Sequence, residues 1–131
     1  MGPLPEAELQ FRVRNASGAI SIVTIEPRFT ASLNQLIYAP HRYFMIGPST
    51  MTIGLDQLIA SRARPTGIVN ANCLMQQAYR GTIALRPPLR VMKLADELWV
   101  VADGNSTFVN ALVSGWPDLP CESLPTRRSR T

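Results

Sequence analysis

The sequence predicts an α+β fold: a small mixed β-sheet with two or three short helices packed against it, preceded by an N-terminal β-hairpin. Residues 11–14 and 19–25 alternate apolar and polar side chains, which is typical of half-buried strands, and residues 98–102 are rich in β-branched and aromatic side chains. Residues 68–79 instead repeat apolar side chains at spacings of three and four, which predicts an amphipathic helix. A length of 131 residues allows one compact domain with an extension or tail, but not two full domains.

The first predicted element is the hairpin, because Asn15-Ala-Ser-Gly18 between its two strands is favourable turn chemistry. Pro27 is expected to end it. Residues 31–39 are predicted to form either a short helix or irregular coil. Residues 40–48 mix polar and aromatic side chains between two prolines, which indicates a loop or an edge segment.

The central elements are a short strand at 51–55, a single helical turn at 56–59 and the amphipathic helix, which is expected to stop near Gly81. Asn70 and Asn72 are placed in the first turn of that helix. Asn72 is interpreted either as a cap or as a polar group that faces a site. Strands at 89–94 and 98–102 are predicted to form a second hairpin, and residues 119–122 a last short strand that returns to the sheet.

The joint after residue 102 is the strongest candidate for a binding site. Asp103-Gly104 is a turn dipeptide, Asn105 or Ser106 can cap the following helix, and the apolar face of that helix is predicted from its hydrophobic residues. Those residues are Phe108, Val109, Ala111, Leu112 and Val113. Such a joint aims free N–H groups and the positive end of a helix dipole at one point, where an anion can bind. Simple capping without a ligand is the alternative reading.

Two arginines precede the amphipathic helix. If Ser61-Arg-Ala-Arg-Pro65 is extended, Arg62 and Arg64 share one side, since alternate side chains of an extended chain point the same way. The two guanidinium groups can then clamp a phosphate. Alternatively, both are exposed arginines whose stems cover apolar surface.

The composition is that of an ordinary globular protein, with 46% hydrophobic and 17% charged residues and a formal charge of +4. Lys93 is the only lysine among 13 basic residues, and a bias to arginine favours nucleotide or nucleic-acid ligands because its planar fork suits phosphate. Arg127, Arg128 and Arg130 lie in the last five residues. Such a tail is typically a solvated end, although it can add nonspecific phosphate affinity.

Several classes of site and location are excluded or disfavoured. Cys73 and Cys121 are too few for a disulfide scaffold and lack metal-ligand spacing, so we expect both to be reduced and buried. His41 is the only histidine, which excludes sites that need several imidazoles, and it is expected to be a surface or loop residue. We see no leader pattern and no apolar stretch of membrane-spanning length, and we therefore expect a cytoplasmic protein with no membrane partner.

Five segments occur in an order that is similar to a known family: Met51-Thr-Ile-Gly-Leu55, Ser61-Arg-Ala-Arg-Pro65, residues 70–80, Arg86-Pro-Pro-Leu-Arg-Val-Met-Lys-Leu94, and Asp103-Gly-Asn-Ser-Thr107. From residue 51 to residue 122 the chain resembles the ParB/sulfiredoxin superfamily. In that family a strand leads through an arginine-containing loop to a helix, a strand pair, and a glycine turn and helix that bind nucleotide phosphates. The resemblance divides the chain into an N-terminal extension with the hairpin at 1–47, a ParB/sulfiredoxin-like domain at 48–122 and a basic tail at 123–131.

The resemblance implies a phosphate site on the glycine turn. The expected binding residues are Arg62, Arg64, Gly104, Asn105, Ser106 and Thr107. Asp103 is the candidate catalytic residue, which would orient a metal ion or water, and Asn72 is a further candidate in the site. No metal ligands are assigned.

The function implied is a ParB-like nucleotide-binding protein that acts in DNA transactions of a plasmid, a phage or another mobile element. ATP or CTP with Mg²⁺ is the expected ligand, with weak NTPase or DNase (hydrolase) activity. DNA, bound nonspecifically, and a protein are the other candidate partners.

The turn departs from the family in three positions. Paired arginines follow the glycine in ParB-type proteins, and a reactive cysteine, a histidine and an arginine follow it in sulfiredoxins, whereas this chain has Asn105, Ser106 and Thr107. Without a thiol there, sulfiredoxin activity is excluded. Two alternatives stay open: a catalytically inactive binding or inhibitory module on the same scaffold, and a small-molecule phosphotransferase.

Overall fold

The computed structural model describes residues 9–125, and within them the α+β prediction is confirmed. The described residues form a five-stranded mixed sheet, a two-stranded hairpin and three α-helices. In chain order the elements are β1 (Leu9–Arg14), β2 (Ile20–Ile25), α1 (Pro27–Ala31), β3 (Met51–Gly54), β4 (Leu58–Ile59), α2 (Pro65–Arg80), β5 (Leu89–Ala95), β6 (Leu98–Asp103), α3 (Asn105–Val113) and β7 (Asp118–Ser123).

The sheet has the strand order β3-β7-β5-β6-β4. Its pairs alternate in direction: β3 with β7 and β5 with β6 are antiparallel, whereas β7 with β5 and β6 with β4 are parallel. The β1–β2 hairpin joins the β4 end of the sheet, because Ala60 N donates to Arg12 O at 3.0 Å and Arg14 N donates to Ala60 O at 2.7 Å. α3 packs against α2 and lies on β5, β6 and β7.

Of the predictions for the first half of the chain, the end of the hairpin at Pro27 is confirmed and the helical turn is wrong in detail. Pro27 ends the hairpin but also begins α1, since its fixed φ suits the first position of a helix; residues after Ala31 are irregular, as one of the two alternatives expected. The helical turn expected at 56–59 is a 3₁₀ turn at Leu55–Gln57, followed by the short strand β4. β4 forms because buried Leu58 and Ile59 pair with β6, a long-range contact that local propensity does not reveal.

The amphipathic helix begins earlier than predicted. Pro65 occupies its first turn and Gly81 ends it with a φ of +79°, a left-handed conformation that glycine adopts without strain. Asn70 and Asn72 therefore lie in the second turn and not in the first, so the capping role proposed for Asn72 is wrong.

The N-terminal residues contribute to the same hydrophobic core as the rest of the chain. Its largest fully buried side chains are Tyr43, Phe44, Phe108, Leu33, Leu36, Ile59, Met75, Leu89, Leu119, Val91, Val101 and Val109. The irregular segment before residue 40 is held by buried polar bonds: Trp116 Nε1 donates to Leu36 O at 2.9 Å, and Ser114 Oγ accepts from Leu36 N at 3.0 Å. Burial, with a smaller contribution from Tyr79, raises the pKa of Tyr43 to about 12.

Some expectations fall on residues that the structure leaves undescribed. The first eight residues and the basic tail from residue 126, with Arg127, Arg128 and Arg130, lie outside the described range. Among residues 9–125, none of the helices combines the length and the apolar character that crossing a membrane requires.

The two cysteines differ in environment. Cys121 is buried in β7 as expected, but Cys73 is exposed on α2, which corrects the prediction that both are buried. Burial, followed by the charge of Asp118, raises the pKa of the Cys121 thiol to about 12.

We predict that a thiol reagent at about pH 8 modifies one cysteine in the native protein and both in denaturant. A pKa that rises from 9.0 to about 12 lowers the Cys121 thiolate fraction about a thousandfold, and burial removes access to what remains. The measurement is the stoichiometry of label by mass spectrometry. Cys73→Ser, as the control, must abolish native labelling, and rapid native labelling of both thiols would contradict the burial of Cys121.

Candidate functional site

The joint between β6 and α3 has the geometry of an anion site. Gly104 has a φ of +103°, and its missing side chain lets the turn approach Leu89 closely: a Cβ there would lie 2.7 Å from Leu89 Cγ. The first helical bond of α3 runs from Phe108 N to Gly104 O at 2.9 Å. No described residue accepts a hydrogen bond from the N–H groups of Asn105, Ser106 and Thr107, which are therefore free for a ligand.

The capping prediction for this helix is wrong. Neither Asn105 nor Ser106 caps α3 through its side chain. The Asn105 side chain is 5% exposed and turns instead to Ser61: its Oδ1 accepts from Ser61 N at 2.8 Å, and its Nδ2 donates to Ser61 Oγ at 2.9 Å. Ser61 Oγ in turn donates to Val101 O at 2.7 Å. Asn105 thus positions the arginine loop on α3, and only its backbone N–H is available to an anion.

A cleft of about 250 Å³ lies beside these free N–H groups, between the N-terminal half of α2 and the start of α3. Its lining residues are Arg62, Gly67, Asn70, Ala71, Leu74, Arg86, Asp103, Gly104, Asn105, Ser106 and Thr107. Of the residues predicted from the sequence, the cleft brings together Arg62 and the whole turn from Asp103 to Thr107. We call it the α2–α3 cleft.

Arg64 does not line the α2–α3 cleft. It is the residue immediately before α2, with an extended backbone, and its side chain is exposed. Arg62 lines the cleft and Arg64 does not, so the structure does not bring the two residues together there. The phosphate clamp expected from these two residues stays a prediction for Arg64, which lies outside the lining of this cleft.

Arg86 takes the place of the second arginine, and sequence reasoning missed it as a site residue. It lies 24 positions beyond Arg62 and reaches the cleft because its backbone is fixed by the segment before β3: Arg86 N donates to Tyr43 O at 2.7 Å and Met45 N donates to Arg86 O at 2.8 Å. Its position before two prolines carries no local signal for ligand binding.

The two cleft arginines have no acidic partner within the described range. The ion pair found there joins Lys93 and Asp96 at 3.6 Å on the surface, away from Arg62 and Arg86. Asp103, exposed at the end of β6, is the one carboxylate that lines the cleft among residues 9–125. The cleft therefore combines two uncompensated positive charges with a single negative one.

Ser106 and Gly67 are matched across the cleft. A Cβ on Gly67 would lie 2.8 Å from Ser106 Oγ, so the glycine gives the hydroxyl its space against α2. No described residue forms a hydrogen bond with the Ser106 hydroxyl, which leaves it available to a ligand. Thr107 lines the cleft too, although its side chain is largely buried.

Asn72 belongs to a buried amide network and not to the cleft. Its Nδ2 donates to Asn110 Oδ1 at 2.8 Å and to Asn34 O at 2.9 Å, and its Oδ1 accepts from Gln76 Nε2 at 2.9 Å and from Asn34 N at 3.2 Å. Every hydrogen-bonding atom of the side chain is thus occupied inside the protein. The prediction that Asn72 faces the site is wrong, and its neighbour Asn70, which is exposed, lines the cleft instead.

Two other cavities have different chemistry. One of about 310 Å³ lies between the hairpin, α1 and the start of α2, where Glu26 is the one charged lining residue; it does not suit an anion. His41, exposed in a 3₁₀ turn at Pro40–Arg42 as a loop residue was expected to be, lines another of about 270 Å³ with Tyr38 and Asp118. Among residues 9–125 there is no group of three or more histidine, cysteine or acidic side chains that could hold a metal ion.

Comparison of the chain with protein-family models found no match, and comparison with curated proteins found none either. The case for a function therefore rests on the geometry of the α2–α3 cleft.

We predict that Gly104→Ala lowers the free energy of unfolding by about 2–5 kcal/mol, because backbone strain and overpacking against buried Leu89 add together. Gly81→Ala is the matched control: its φ is +79°, but nothing lies within 4 Å of the added Cβ. It should cost about 1–2 kcal/mol from strain alone. Denaturant unfolding measures both, and equal losses would show that the contact with Leu89 is not tight.

We predict that Asn72→Ala lowers the free energy of unfolding by about 2–3 kcal/mol, because Asn110 and Gln76 lose partners inside the protein. Asn70→Ala, two positions away on the exposed side of the same helix, should change it by about 0.5 kcal/mol or less. Urea unfolding of the two variants distinguishes a structural amide from a cleft amide. Equal free energies of unfolding for the two variants would show that the hydrogen bonds of Asn72 do not stabilise the protein.

Proposed function

We propose that the protein binds a phosphate group of a nucleotide or a nucleic acid in the α2–α3 cleft. The observation that carries the proposal is the convergence of three unbonded N–H groups at the start of α3 with Arg62 and Arg86, neither of which has an acidic partner within residues 9–125. The helix dipole and both guanidinium groups attract the same charge.

The arginine at position 86 supports a functional link to the family that the sequence resembles. ParB-type proteins have paired arginines after the glycine turn, and this chain has none there. Arg86 and Arg62 supply two positive charges to the same cleft from outside the turn. An anion can thus be neutralised here without the family's own arginines.

The size of the cleft favours partial enclosure of the ligand. A volume of about 250 Å³ is below the roughly 300–1,000 Å³ of sites that enclose a whole small molecule. Among residues 9–125, no aromatic side chain on which a base can stack lines the cleft. It therefore suits the phosphate end of ATP or CTP, or one phosphate of a DNA backbone, with the base outside.

Magnesium can accompany a nucleotide in this cleft. Mg²⁺ is usually held by one or two carboxylates together with substrate phosphates, and Asp103 with the Ser106 hydroxyl offers a set of that kind. The ion would neutralise phosphate charge and polarise a phosphoryl oxygen. Within the chain, Arg62 and Arg86 orient the phosphate, and Asp103 is the residue that can hold the ion or a water molecule.

A role in DNA transactions of a mobile element is the wider function we propose, with binding as the activity that the cleft supports best. Within the part of the chain that the structure describes, Asp103 is the one carboxylate in the cleft, and no second acidic or histidine side chain lines it to act as an acid or base. This favours the alternative of a binding or inhibitory module without turnover. Nucleoside-triphosphate hydrolysis by wild type and Asp103→Asn separates the two: activity that Asp103→Asn abolishes identifies an NTPase.

We predict that nucleotide or pyrophosphate stabilises the wild type against thermal unfolding, and that Arg62→Ala and Arg86→Ala each weaken binding by about one to two decades. A ligand at a hundred times its Kd adds about 2.7 kcal/mol, which is several degrees for a domain of this size. Loss of a charge-assisted contact costs about 1.5–3 kcal/mol. The probes are inorganic phosphate, pyrophosphate, ATP, ADP, CTP and GTP, each with and without Mg²⁺.

Arg64→Ala is the matched control, because it removes the same charge two residues from Arg62 but outside the cleft. Its affinity should stay close to that of the wild type. Absence of any shift at millimolar ligand, or an equal loss in Arg64→Ala, would refute the cleft as the site. A short DNA duplex is a further probe. If the cleft binds a DNA phosphate, the affinity should fall as the salt concentration rises. Arg62→Ala should reduce the slope of log K against log salt concentration by about one.

A further inference from the structure

The outer edge of β2 presents unpaired backbone groups. Hydrogen-bonding residues alternate along an antiparallel pair, and on β1 the outward groups are those of Arg12 and Arg14, which bond Ala60. Their cross-strand partners in β2 are Ile22 and Ile20. The backbone N–H and C=O groups of these two residues and of Thr24 therefore point away from β1, on the other side of the hairpin. No described strand pairs with that side.

This edge lacks the features that normally prevent strand pairing. β2 is Ile20-Ser-Ile-Val-Thr-Ile25, with no charged residue and no proline, and its register with β1 is continuous over six residue pairs without a bulge. The side chains of Ile20 and Ile22 are 50% and 58% exposed. Proteins that keep an edge strand single usually place a charge, a proline or a bulge there.

We infer that β2 pairs antiparallel with β2 of a second copy of this chain. A two-fold axis perpendicular to the sheet keeps equivalent side chains on the same face, so Ile20 and Ile22 of both copies form one apolar cluster. The two hairpins then become a four-stranded sheet. Arg12 and Arg14, the cross-strand partners of Ile22 and Ile20, lie on β1, one strand away from the contact, and β2 has no charged residue of its own to face its copy.

A second copy of β2 has the sequence that pairing with this edge requires. An added strand must have apolar residues at alternate positions on the isoleucine face and no charge opposite them, and β2 itself meets both conditions. One strand pair is small against the roughly 1,200–2,000 Å² of stable interfaces. We therefore expect a dimer that forms and dissociates with concentration.

Sedimentation velocity of the full chain from about 1 to 500 μM tests the inference. The wild type should pass from monomer to dimer, and Ile22→Lys should raise the dimer Kd about tenfold or more, because two lysines then meet across the symmetric contact. Thr24→Pro should do the same by a different route: it removes an outward N–H and no backbone hydrogen bond to β1, although the long side-chain contact from Gln10 Nε2 to Thr24 Oγ1 at 3.5 Å is lost.

Met45→Lys is the control, since it adds the same charge at a side chain of matched exposure, 57%, outside β2. It should dimerise like the wild type, and all variants should unfold at similar temperatures because the substituted positions are exposed. A wild type that stays monomeric throughout the range overturns the inference. So does a dimer that Ile22→Lys and Thr24→Pro leave unchanged, because its interface then lies elsewhere.

Discussion

A network of buried amides fixes the relative position of the two main helices. Asn110, with no exposed surface, donates from Nδ2 to Ile68 O and to Ser106 O, both at 2.9 Å, and accepts from Asn72 at 2.8 Å. Its side chain thus binds the backbone of α2 and of α3 at once. A buried amide costs free energy unless all its hydrogen bonds are made, so a shift of one helix along the other would leave several polar atoms unpaired. Apolar packing alone tolerates such shifts better.

The α2–α3 cleft depends on that fixed packing. Because Asn110 and Asn72 hold the helices together, the start of α3 and the second turn of α2 form two walls of constant separation. The arginine loop is the third element of the cleft. Asn105 holds it by two hydrogen bonds with Ser61, and the next residue, Arg62, lines the cleft. The first three N–H groups of α3 stay unbonded because the residue at the N-cap position is Gly104, which has no side chain to accept from them. Asn105 therefore orders the loop, and Gly104 leaves the positive end of the helix open.

Residues 58–62 connect the hairpin, the sheet and the cleft within a short stretch of chain. Leu58 and Ile59 pair with β6, Ala60 bonds both Arg12 and Arg14 of β1, Ser61 bonds Asn105, and Arg62 lines the cleft. The hairpin is thus connected to the residues that line the cleft through Ala60 and Ser61. Phe11 of β1 also meets Phe108 of α3 edge to face, with ring centroids 6.3 Å apart.

The sequence by itself determined the elements whose signals are local. Alternation in β1 and β2, the spacing of apolar residues in α2, Gly81 at its end and the Asp103-Gly104 turn all follow from short-range sterics and solvation, and the structure agrees with each. Only the tertiary structure decided the rest. β4 forms because it pairs with β6. Arg86 lines the cleft because hydrogen bonds with Tyr43 and Met45 fix its backbone. The Asn72 side chain is buried because it forms hydrogen bonds with Asn110 and Gln76. Arg64 lies outside the cleft although its backbone is extended, so spacing along the loop does not by itself place it beside Arg62. Which polar side chain serves a ligand and which serves the core depends on partners distant in sequence, and residue type and spacing do not carry that information.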